Sequence, residues 1–218
     1  MAITICIGCY ASYNAGYLVD EWVDLPMPDA ELDAALGRIR AHAQRLTGDL
    51  CEELYVSDYD GMPLGVSYGT GVFGECTPIR YLNVLARLIE RYPREAEVVA
   101  AALGCGCDEP TDIVELMNWI LQADDIPYYA YDAPGWCTDP DERFGYTCAQ
   151  GSEWYEALVK AGVEDHFDMK SYGAGCAHYV HLGEDGYIDA CQDMPRGDLY
   201  SIGEIAEMLD TEQAARCA

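Results

Sequence analysis

The spacing of apolar positions divides this chain into short amphipathic pieces. Residues 10–25, YASYNAGYLVDEWVDL, read as strand, turn and strand: aromatic and β-branched positions, a break at Asn14-Ala15-Gly16, then alternation through Trp22 to Leu25. Asn and Gly accept positive φ, so the chain is expected to reverse at that break. In PMPDAELDAALGRIRAHAQRL the period changes to that of a helix, which puts Leu32, Leu36, Ile39, Ala43 and Leu46 on one face behind Asp29 as N-cap. This helix is expected to pack on the hairpin. ELYVSDYDG follows as a strand closed by Asp60-Gly61, and a Gly-rich stretch leads to Thr77-Pro78, an N-cap with proline at the first helical position, and a helix over IRYLNVLARLIERY. Two further helical segments cover about 94–103 and 111–122, the second opening at Thr111 with Glu115 nearby.

From Asp124 the texture changes to tyrosine, proline and aspartate, which predicts a strand and then a long ordered loop to about residue 150. SEWYEALVKAG reads as a short helix, FDMKSYGAGC as a helical turn, AHYVHLGEDGYIDAC as a hairpin around Glu184-Asp185-Gly186, and SIGEIAEMLD as a last helix. The expected class is α+β in three small domains: sheet and helix over 1–75, helices over 76–123, and an α+β unit over 124–218 with an insertion at 124–150. No repeat of fixed period is present.

Half of the 218 residues are hydrophobic, enough for real cores. No run of about 18 apolar residues exists, and the N-terminus lacks a basic segment followed by a sustained apolar one. The expectation is a cytoplasmic protein away from membranes, in which most of the 11 cysteines are reduced, buried thiols.

Charge changes the picture more. Against 39 Asp and Glu stand 12 Lys and Arg, a net of -27. Such a chain repels nucleic acid and anionic membranes and attracts strongly basic surfaces, which belong mainly to nucleic-acid-binding proteins. Adaptation to salt, or simple solubility, is the plainer alternative. It does not require the observed asymmetry: residues 1–95 hold 14 acids and 7 bases, whereas 96–218 hold 25 acids and 5 bases.

Candidate catalytic patterns are weak. Gly69, Gly71 and Gly74 match G-x-G-x-x-G, but the following helix begins too late, at Thr77-Pro78, to aim its N-terminal amides at a phosphate. Cys6 and Cys9 form C-x-x-C on a strand, where they face opposite sides. Cys105, Cys107, Cys137, Cys148 and His166 are the candidates for a structural zinc site, and His178 and His181 carry no catalytic signature. Any two of 39 acids make a pair, so carboxylate pairs carry no information. The expectation is no enzyme, no cofactor and no metal, with an acidic zinc-stabilised or hydrolytic cytoplasmic protein as the alternative.

Tyr10, Tyr13, Asn14 and Gly16, followed by Trp22, Asp24 and Leu25, resemble the N-terminal signature of the ArdA antirestriction family, Y-x-x-Y-N-x-G then W-x-D-L. EELYVSDYDGMPLG at 52–65 is similar to the family's second acidic segment, and FDMKSYGAGC and EDGYI match more thinly. The resemblance implies an elongated, dimeric DNA mimic, associated with mobile genetic elements, that fills the DNA-binding groove of type I restriction-modification enzymes. It brings no catalytic residues, no direct nucleic-acid binding and no membrane partner. The N-terminal signature is expected to determine the fold. For the partner-binding surface the named carboxylates are Asp108, Glu109, Asp112, Glu115, Asp124, Asp125, Glu164, Asp165 and Asp168. Tyr172, Tyr179 and Tyr187 are the candidates for a homodimer interface.

Overall fold

The computed structural model describes residues 3–217 except Met62 and Thr70, with side chains described to residue 211. Met62 of the second signature, Thr70 of the glycine motif and the Cys217 side chain lie outside the described residues. The class is α+β, with helices and two small antiparallel sheets. The chain forms two compact units, one from residues 1–96, 110–122 and 196–218, the other from 97–109 and 123–195.

The first unit is built on β1 (Ile3–Cys9), which lies between β2 (Asp20–Leu25) and β3 (Leu54–Tyr59), both antiparallel to it. Ile3, Ile5, Ile7 and Cys9 are buried, as a central strand requires. The connection from β1 to β2 corrects the expected strand: residues Tyr10–Asn14 form a short helix, α1. Ser12 Oγ donates to Cys9 O at 2.8 Å, and Tyr10 stacks on Tyr55 of β3 at 4.3 Å. That long-range ring contact overrides the strand preference of the tyrosines. The reversal is completed at Gly16, whose φ of 83° suits glycine. Between Cys6 and Ile7 the β1–β3 register shifts, and Ser57 Oγ at the bulge donates to Cys6 O at 3.2 Å.

The helix α2 (Asp29–Thr47) covers the sheet with Leu32, Ala35, Leu36, Ile39 and Ala43. Its N-cap is Pro28, not Asp29; Asp29 instead stands in the first turn, where its charge favours the helix dipole. Next, α3 (Ile79–Arg91) packs with α5 (Ile113–Leu121) and α9 (Ile202–Cys217). Thr77 Oγ1 accepts from Gly74 N at 2.9 Å rather than capping α3, and Pro78 is the cap residue. Between α3 and α5 runs α4 (Pro93–Gly104), on which the chain passes into the second unit.

Two buried asparagines hold irregular segments of this unit. Asn83 Oδ1 accepts from Met27 N at 2.9 Å, and its Nδ2 donates to Met27 O at 3.0 Å. Asn118 repeats the device on the returning chain: Nδ2 donates to Tyr200 O at 2.9 Å and Oδ1 accepts from Tyr200 N at 2.8 Å. Truncating Asn118 to alanine leaves both Tyr200 groups without these partners. A loss of about 1–3 kcal/mol is expected, measured as a lower denaturant midpoint.

The second unit carries a sheet in the order β4 (Tyr128–Ala130), β6 (Gly186–Asp189), β5 (Val180–Leu182). The unit also carries α6 (Pro140–Ala149), α7 (Glu153–Ala161) and α8 (Met169–Cys176), of which α6 packs against β5 and α8. The expected loop through residue 150 is thus corrected by α6. Asp139 caps that helix by accepting from Glu142 N at 3.2 Å, and Pro140 occupies its first turn. Helices α6 and α8 approach closely at Gly145 and Gly173, over a core of Cys137, Tyr146, Ala149 and Met169.

Candidate partner-binding surface

Charge follows the structural units. The second unit holds 18 acids against 3 bases, and the larger first unit holds 21 against 9. Per residue, the second is roughly twice as negative. Two of its three cations are engaged locally. Arg143 donates to Glu184 O and lies 3.6 Å from Asp185, and Lys170 Nζ meets Asp139 Oδ2 at 2.5 Å. Both cations therefore act chiefly on neighbouring acceptors of the fold.

The named carboxylates divide by duty. Asp108, Glu109, Asp124, Asp125 and Asp165 are exposed. Asp124 and Asp125 sit in a 3₁₀ turn, Ala123–Asp125, ahead of β4. Asp112 and Asp168 are exposed N-caps. Asp112 Oδ1 accepts from Val114 N at 2.8 Å and Glu115 N at 2.9 Å, and Asp168 Oδ1 accepts from Ser171 N at 3.0 Å. Glu115 is half-buried and reaches back to Thr111, accepting from its N at 2.7 Å and its Oγ1 at 2.6 Å. Helix α5 therefore begins at Ile113, two residues past the expected opening at Thr111, with Asp112 as its N-cap. Glu164 is half-buried as well, in a 3₁₀ turn. Asp112 and Glu115 belong to the first unit and the other seven to the second.

Of the interface candidates, Tyr179 is exposed, while Tyr172 and Tyr187 are half-buried. Tyr187 packs edge-on to Phe144 at 4.9 Å, and Tyr172 edge-on to Trp154 at 5.2 Å.

The N-terminal signature also divides. Tyr10, Asp24 and Leu25 are engaged in the fold, through the Tyr55 stack, a hydrogen bond from Thr4 Oγ1 at 2.7 Å, and burial respectively. Tyr13 and Trp22 are both exposed. The Tyr10 hydroxyl, held by burial and by its bond to Glu75 Oε2, has its pKa pushed up to about 12.

Most of the described cysteines are free thiols, in line with the sequence expectation, with one pair as the exception. Cys9 and Cys51 form a disulfide, whereas the eight other described cysteines are free thiols. Among the described residues no three of His, Cys, Asp or Glu are grouped to hold a metal. Cys105 Sγ contacts Ala101 O at 3.3 Å, and burial pushes its thiol up to about 11. Cys148 is raised likewise to about 11, by burial and then by neighbouring Cys176. Gly71, from the glycine motif, packs against Thr111 O, and α3 starts only at Ile79. Among the described residues no helix is long and apolar enough to cross a membrane.

Among the described residues, four carboxylates have pKa values held low: Asp139 by Lys170, Asp168 by the Ser171 hydroxyl, Asp189 by the Gln192 amide, and Glu204 by the Ser201 N–H. A folded value below the unfolded one stabilises above the unfolded pKa and is lost as pH falls through the folded value. The stability difference between the natural chain and Asp139→Ala is therefore expected to be level above about pH 5 and to shrink below about pH 4. Unfolding curves of the two proteins across that range measure it.

The sequence reading missed the cap at Asp139 and the ring group of Trp154, Phe167 and Tyr172. Asp139-Pro140 is a legible helix start. No local signal marks the ring group, whose members meet through the tertiary fold. A protein-family model described as antirestriction protein (ArdA) matches residues 5–189. No curated protein matches the chain.

Proposed function

Because this chain belongs to the ArdA antirestriction protein family, we propose that it acts as an acidic DNA mimic, binding the DNA-binding groove of type I restriction-modification enzymes and keeping DNA out. The observation that carries this reading is the concentration of 18 acids against 3 bases in the second unit, with most of the named carboxylates facing solvent. Duplex DNA bears one charge per about 1.7 Å, so the net charge of -27 matches that of roughly 45 Å of duplex. Binding requires no covalent step. Lys and Arg of the enzyme exchange the counterions of DNA for carboxylates held on a folded frame, and the contact weakens as salt rises.

Restriction efficiency in cells carrying a type I system, with and without this protein, tests the proposal. Relief of restriction is the expected result; unchanged restriction across several type I systems would reject it.

A further inference from the structure

Helices α6 and α8 lie side by side in the second unit with their N-terminal ends together. At that end Lys170 Nζ, in the first turn of α8, meets Oδ2 of Asp139, the N-cap of α6, at 2.5 Å. Further along, Gly145 and Gly173 bring the two backbones into contact: a Cβ on Gly173 would stand 2.6 Å from Gly145 N, and one on Gly145 would stand 3.1 Å from Gly173 N. Two fixed points in the same order along both helices make the pair parallel. Three residues beyond each glycine, in the last turn of each helix, stand Cys148 and Cys176. A step of three stays on one face of a helix, so each cysteine follows its glycine onto the face turned to the other helix.

The two sulphurs meet there. The Cys148 thiol hydrogen-bonds with Cys176. Both cysteines are free thiols and both are half-buried, so a small reagent reaches them. Distance is what usually forbids a covalent link between facing helices. Ordinary side chains hold helix axes about 8–10 Å apart, whereas a disulfide joins Cα atoms about 4.4–6.8 Å apart. Backbone contact at glycine, one turn away, removes most of that difference.

We propose that Cys148 and Cys176 form a dithiol modification site, oxidised to a disulfide between α6 and α8 by a small-molecule disulfide such as oxidised glutathione. One cysteine, as thiolate, attacks a sulphur of the reagent and releases one glutathione, which leaves that cysteine in a mixed disulfide. The other, as thiolate, attacks the protein sulphur of the mixed disulfide and releases the second glutathione. The two protons lost by the cysteines balance those taken up by the two departing thiolates, two electrons pass from the protein to the reagent, and no further oxidant is needed. The bond closes a loop of 28 positions that contains α7 and the carboxylates Glu164, Asp165 and Asp168. The inference stands on the fold of the second unit and is independent of the DNA-mimic reading.

The test incubates the full natural chain with oxidised glutathione in mildly alkaline buffer, because burial and then Cys176 hold the Cys148 thiol up at about 11 and the thiolate is the reacting form. Remaining thiols are alkylated, and peptides are mapped without reduction by mass spectrometry. The expected product is a Cys148–Cys176 linkage free of glutathione and reversed by dithiothreitol. Glutathione on the exposed Cys76 and Cys191 shows that the reagent is active. In Cys148→Ser and in Cys176→Ser the remaining cysteine keeps its glutathione. Against these variants treated alike, the midpoint of thermal unfolding of the oxidised natural chain rises by about 5–10 °C. The mapping is decisive on the natural chain, so it holds even where a serine variant does not fold. Stable glutathione adducts on both Cys148 and Cys176, a linkage of either to another cysteine, or both thiols intact while Cys76 and Cys191 react would each overturn the proposal.

Discussion

Replacing Gly173 by alanine is expected to destabilise the second unit more than a methyl at any other glycine of that unit. A Cβ at this position would stand 1.8 Å from Asp141 O and 2.6 Å from Gly145 N. Both are backbone atoms, so no side chain can rotate away. Helices α6 and α8 must separate, exposing Met169 and the core it shares with Cys137, Tyr146 and Ala149. Overpacking of this kind costs about 3 kcal/mol, the upper part of the usual range. The control lies two residues on: a Cβ at Gly175 meets nothing within 4 Å, and Gly175→Ala in the same helix is expected to be neutral or stabilising. Denaturant midpoints of the two variants should move in opposite directions, or one should fall while the other stays. Equal stability would show that the two helices do not approach as described.

The second large effect concerns inhibition. Asp124, Asp125 and Asp165 are exposed in the second unit, and changing all three to asparagine is expected to weaken inhibition of a type I enzyme by about tenfold at low salt. The slope of log affinity against log salt should also become shallower, by up to about 0.9 for each lost contact. Single replacements should each fall within about threefold of the natural protein, since an exposed ion pair contributes little alone. Asp112→Asn and Glu115→Gln make clean single tests because each amide can keep its capping bond, so the helix start survives the loss of charge. A catalytic carboxylate would behave in the opposite way, with one replacement abolishing activity at little cost in affinity. One silent group and one lethal single variant would therefore reject distributed binding.

Helix α2 shows how far a local pattern reaches. Leu32, Leu36, Ile39 and Ala43 are buried as their spacing predicts, because a 3.6-residue period fixes which side of a helix a side chain occupies. Leu46 shares that spacing and is 42% exposed. Periodicity assigns a side but carries no information about how far the covered surface extends. The final hairpin was legible for a similar reason, since Glu184-Asp185-Gly186 sets a turn between two alternating runs.

The two errors of element type have different causes. The loop expected through residue 150 overlooked Asp139-Pro140, a helix start written in the sequence. Residues 10–14 are another matter, because their helical form depends on Tyr10 meeting Tyr55, 45 positions away. The same holds for the Cys9–Cys51 pairing, which spacing could not supply among eleven cysteines.

By itself, the sequence determined the α+β class, most element positions, the acidity and the family resemblance, because these depend on residue type and near-neighbour spacing. Only the tertiary structure decided that residues 196–218 return to the first unit, that Gly145 and Gly173 let two helices touch, and that Trp154, Phe167 and Tyr172 share one neighbourhood. The physical reason is that chain closure over tens of residues is selected by the packing energy of the whole core, to which no single segment holds the key.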